Sequence, residues 1–139
     1  MLRFVALAFV SLTCLTISVA NAETIVFKAQ LSGANEVPPN TSPASGQAEA
    51  SLDTVTKVLT YTVTYASLTG PCIGAHLHGP GEHGKNAGIV IPFNFVATPI
   101  KGTATLTDTQ IADLSAGRWY VNIHTSAHPG GEIRGQLVR

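Results

Sequence analysis

Four of the five histidines stand in two short clusters, His76 and His78 in GAHLHGPG and His124 and His128 in VNIHTSAHPGG. The fifth, His83, lies in the glycine-rich run GPGEHGKNAG. Imidazole is neutral near physiological pH and offers a nitrogen lone pair that suits copper and zinc. An HxH pair on a strand projects both rings to one side, close enough to share an ion. In GAHLHG, Ala75 and Leu77 point one way and His76 and His78 the other. In RWYVNIHT, Trp119, Val121 and Ile123 form the core set, which sends Tyr120, Asn122 and His124 to the opposite face. If the two strands are neighbours, the rings of His76, His78 and His124 converge away from the hydrophobic interior.

His128, four residues past His124, is placed to fold back as a further ligand, because Pro129-Gly130-Gly131 forces a turn. His83 is the weaker candidate, approaching from its loop. Glu82 or Glu132 is expected to orient a ring from behind, with Asn122 as support. Copper is expected before zinc, since divalent affinity favours copper wherever geometry does not intervene. The competing expectation is structural: each ring ties a loop carbonyl through an N–H and no metal binds. The chain is then a protein- or glycan-binding or structural module, with Tyr120 its outward aromatic. Arg134, flanked by Glu132 and Gln136, is expected to be a solvated or ion-paired strand residue, with guiding an anion a lesser role.

Period-two alternation supplies the elements that position these residues. Ile25, Phe27, Ala29 and Leu31 share a face, as do Ala48, Ala50 and Leu52, and Leu59, Tyr61, Val63 and Tyr65. The short link Thr54 to Lys57 joins the last two runs as a hairpin. Further strands are expected in CIGAHLH, GIVIPF, IKGTATL, RWYVNIH and GEIRGQLV. TLTDTQIADLSAG breaks the rhythm: Thr107 and Gln110 have capping-box spacing, Ile111 and Leu114 form a stripe, and Gly117 supplies the stop. The pattern predicts an all-β antiparallel Greek-key sandwich with one short connecting helix.

The first residues, 1–22, carry Arg3, an apolar run and the small-x-small end Ala20-Asn21-Ala22, which reads as a signal peptide cleaved after Ala22. A single domain, 23–139, then reaches the periplasm or the extracellular medium, with no membrane association after cleavage. It keeps seven basic and eight acidic side chains, none in a run, so no surface for nucleic acid is built. G-x-S-x-G, phosphate-loop and dinucleotide fingerprints are absent. Cys72 is then the one cysteine left, so an intrachain disulfide is impossible. It is expected to be buried and inert, close to a metal, or to link two chains; the domain is a monomer or such a dimer.

These blocks, in this order, resemble the CHRD domain family, named for its repeats in chordin and found singly in many exported bacterial proteins. The resemblance is carried by LSGANEVPP (Leu31 to Pro39), GQA (Gly46 to Ala48), LTYTV (Leu59 to Val63), GAHLHGP (Gly74 to Pro80), GTATLT (Gly102 to Thr107) and WYVNIHTSAHPGGEIRGQL (Trp119 to Leu137). It implies that Glu36, His76, His78, Asn122, His124, His128, Glu132 and Arg134 are family positions, without giving their roles. The cysteine-rich modules that accompany the repeats in chordin are missing, so growth-factor binding does not carry over. A looser similarity is to copper/zinc superoxide dismutase, an immunoglobulin-like sandwich whose metal site also starts from a strand HxH. That similarity implies copper-dependent redox activity if the chain is an enzyme. The departures are a missing bridging histidine, since His83 sits in too short a loop, no aspartate beside it, and no disulfide. A mononuclear copper site without much dismutase activity is the expectation that remains.

Overall fold

The computed structural model describes residues 22–139, so the signal-peptide reading lies outside the described residues apart from Ala22. Eight strands run in the order β1 (Thr24–Ser32), β2 (Ser45–Asp53), β3 (Val58–Ala66), β4 (Cys72–His78), β5 (Ile89–Pro92), β6 (Ile100–Thr105), β7 (Tyr120–Thr125) and β8 (Ile133–Gln136). One helix, α1 (Asp108–Ser115), joins β6 to β7, and a 3-10 turn at Gly33–Asn35 follows β1. All pairings are antiparallel, in the order β5-β4-β7-β8-β1-β2-β3-β6. The ladder is thin between β8 and β1, held by Ser32 opposite Arg134 and a bridge from Lys28 to Val138. Folding at that corner makes a nearly closed Greek-key sandwich, as the alternation predicts.

The core is the set of inward positions. Phe27, Leu31, Leu52, Leu59, Leu77, Ile100, Leu114, Trp119, Ile123, Ile133 and Leu137 are all buried; each such side chain contributes roughly 1.5–3 kcal/mol on leaving water. α1 starts as its spacing predicts: Gln110 N donates to Thr107 Oγ1 and the Gln110 side chain accepts from Thr107 N. Such a cap is worth about 1 kcal/mol. Gly79 has no side chain because Trp119 fills the space: an added Cβ would lie 2.4 Å from the indole. No helix among the described residues is long and apolar enough to cross a membrane.

One departure from simple alternation matters near the site. The β4–β7 register shifts between Cys72, opposite Thr125, and Gly74, opposite His124. At this bulge Cys72 packs half-buried against the core and does not join the histidine group. Burial raises its thiol above the usual range, so the sulfur stays protonated.

Candidate metal centre

β4 and β7 are neighbours, and the register sets His76 opposite Asn122, Gly74 opposite His124 and His78 opposite Tyr120. Direct partners share a face, so His76, His78 and His124 meet on the outer side. Ring centroids are 4.9 Å apart for His76 and His124, 5.4 Å for His76 and His78, and 6.0 Å for His78 and His124. One nitrogen from each ring lies within 4.8 Å of those of the other two. A tetrahedral ion with bonds of about 2.0–2.1 Å spaces its ligand nitrogens by about 3.3 Å, so small rotations of the rings complete the geometry.

The tautomers follow from hydrogen bonds. His78 Nδ1 faces the Ala87 carbonyl at 2.9 Å and His124 Nδ1 faces the Pro129 carbonyl at 2.9 Å. A carbonyl can only accept, so both rings donate from Nδ1 and carry their lone pair on Nε2. Those two Nε2 atoms, with Nδ1 of His76, are buried and have no partner among the described residues. An unpaired buried polar atom costs about 1–3 kcal/mol; three such nitrogens on three clustered rings suit a soft or borderline cation. Burial, then the neighbouring His124 and His78, pushes the His76 ring down to about 4. His78 is lowered too, by burial first, with the Ala87 carbonyl opposing. Both rings are therefore neutral and able to ligate at physiological pH.

Tyr120 lies parallel to His78, with ring centroids 4.9 Å apart and planes 4° from coplanar. The Arg134 guanidinium also lies over the Tyr120 ring, 3.5 Å from its centre. The Tyr120 hydroxyl accepts from Ala87 N at 2.9 Å and donates to the same Ala87 carbonyl that His78 uses. Arg134 donates to the Lys85 carbonyl at 2.7 Å and to Asn86 Oδ1 at 3.1 Å, clamping loop 79–88 over the face. The expectation that Arg134 is a solvated or ion-paired strand residue is corrected: it is 2% exposed and makes no ion pair among the described residues. Tyr120 does lie on the outward face, but the covering loop buries it, so it offers no aromatic surface to a partner.

The other expected site residues fall elsewhere. His128 is outside the trio; its backbone closes the turn after β7 by pairing with Thr125 and accepting from Gly131 N. His83 is exposed on loop 79–88 and joins no cluster among the described residues. Glu82 contributes its carbonyl rather than its carboxylate. Glu132 orients no ring: its carboxylate takes Ser42 Oγ at 2.6 Å, Thr69 N at 2.9 Å and Thr125 Oγ1 at 2.6 Å. Burial alone would raise that carboxyl, but the donors outweigh it and hold it below the ordinary range. It therefore stays charged and knots three segments together.

Asn122, expected as support, donates to the Ile133 carbonyl at 3.0 Å and to Glu36 Oε1. Glu36, from the turn after β1, is a buried neighbour of the centre that residue spacing does not reveal. Burial pushes it up to about 7 against the opposing Asn122 bond and Arg134 charge. Gly131, at φ +128°, must lack a side chain, since a Cβ would meet both Asn122 and Glu36 at 2.7 Å. Glu36, Asn122, Tyr120, the histidine trio and Arg134 all fall within residues 27–137, which match the family model of the CHRD domain. The chain belongs to the CHRD domain family. No curated protein and no solved structure matches it. The match covers nearly all of this CHRD domain's sandwich, from Phe27 in β1 to Leu137 just past β8.

Proposed function

We propose that this chain is an exported CHRD module that holds one transition-metal ion, copper ahead of zinc, on His76, His78 and His124. The observation that carries the reading is the gathering of three rings that each offer a ligand atom within 4.8 Å of the others, each ring also holding a buried nitrogen without a partner among the described residues. Among the described residues no carboxylate or thiolate joins them, so the donor set is all imidazole, which accepts both metals, and intrinsic affinity then ranks copper first. Export rests on the leader at residues 1–22. Storage or handover of the ion is the role, with copper redox chemistry of dismutase type as the enzymatic variant.

Untagged protein should take up one equivalent of copper, with nitrogen hyperfine coupling in electron paramagnetic resonance. Replacing His76→Ala and His124→Ala together should abolish that uptake and leave the fold intact; unchanged uptake would remove the proposal. One observation favours a different reading, a protein- or glycan-binding module: two of the three rings already brace loop carbonyls. That module would stay metal-free at micromolar copper and lose stability when either histidine is replaced.

A further inference from the structure

The donor set has a second chemical consequence. Three neutral nitrogens leave a bound dication its full charge, and three protein ligands with a position left to water is the pattern of catalytic zinc rather than structural zinc. His76 and His124 remain half-buried while His78 is buried, so the solvent-facing side of the trio is that of His76 and His124, although a ring nitrogen on each residue is itself buried. In the β4–β5 ladder Ile89 stands opposite His78 and Pro92 opposite His76, and both are exposed. They give the open side an apolar border. Neither cavity described in the molecule adjoins the trio; both lie over β1, β2 and β3. A substrate here has to be small enough to react without a cleft, and uncharged to suit the apolar border.

We infer that the zinc-loaded trio is a hydrolytic centre for small uncharged carbonyl compounds, above all esters, an inference that rests on the metal-binding reading. Zinc lowers the pKa of bound water to about 7. The water gives one proton to bulk buffer, and the remaining hydroxide oxygen bonds to the carbonyl carbon. The carbon–oxygen bond to the alcohol portion then breaks, and the alkoxide leaves with the electron pair and is protonated from solvent. A new water refills the ion, so ester and water yield carboxylic acid and alcohol with no redox partner.

The test titrates zinc into the untagged full chain by calorimetry and assays the same samples with 4-nitrophenyl acetate. The rate above that of free zinc should rise linearly to one equivalent and stop there. His76→Ala should return it to the free-zinc level, whereas His83→Ala, which removes an exposed imidazole off the site, should keep the full rate. One equivalent of zinc bound without added hydrolysis would overturn the inference and leave the metal site standing. A rate equally high without zinc would overturn it in favour of simple imidazole catalysis. Absence of both zinc and copper uptake would sink the inference and the proposed function together.

Discussion

The sandwich has two outward polar faces that obey the same alternation and end in opposite states. Over β1, β2 and β3 the outward residues include Lys28, Gln30, Gln47, Glu49, Thr60, Thr62 and Thr64, lining an open concave surface. An ion pair there, Lys28 with Glu49 at 3.6 Å, keeps 72% and 62% of its side chains in water. Over β4, β7 and β8 the outward residues are His76, His78, Tyr120, Asn122, His124 and Arg134, and loops cover most of them. The strands alone do not distinguish the two faces. Covering loops supply carbonyls and remove solvent, and desolvation turns ordinary polar side chains into neutral ligands and a high-pKa carboxyl.

Substitutions can break or sharpen that contrast. The largest stability loss is expected at the covered end, where Glu132→Ala strands the donors of Ser42, Thr69 and Thr125. Chemical denaturation should register about 3 kcal/mol or more. Next comes Arg134→Met, which frees Tyr120 and loosens His78 without touching the ion; copper affinity should fall about 10- to 100-fold by competition titration. Arg134→Lys should recover only part, because an ammonium cannot serve both loop partners and stack on the ring.

A subtler effect lies in pH. His76 is lowered from 6.5 to about 4, so metal-free stability falls as pH drops through that interval. Glu36 is raised from 4.5 to about 7, so its contribution is full at low pH and falls as pH rises through that interval. The two slopes oppose each other between 4.5 and 6.5. Because burial lowers His78 as well, denaturation midpoints of the metal-free protein should rise with pH there, held back by Glu36, and Glu36→Gln should make the rise steeper. An unchanged slope in the variant would show that Glu36 does not oppose the histidines. On the bare face Thr60→Ala should change stability by no more than about 0.5 kcal/mol and leave copper uptake untouched.

The strands, their inward residues and the capping box of α1 were legible because each depends on a local period or spacing. The same alternation placed His76, His78 and His124 on one side, and only their adjacency across β4 and β7 awaited the fold. It also put Tyr120 on that face, although nothing in the spacing says that it is buried. Glu132 and His128 misled for a shared reason: both belong to the turn after β7, whose path sequence spacing does not determine. Glu36 was marked by the family resemblance alone, since it reaches Asn122 from a loop 86 positions away. The carbonyls that set the ring tautomers have no residue signature whatever.

Those two carbonyls, from Ala87 and Pro129, have a consequence for how the module tolerates change. Main-chain oxygens are common to all twenty amino acids, so swaps at positions 87 and 129 that keep the backbone path preserve the wiring of the rings. Adding or deleting one residue between Gly79 and Gly88 would misalign it outright. In this protein the length of a connection is held more tightly than its spelling.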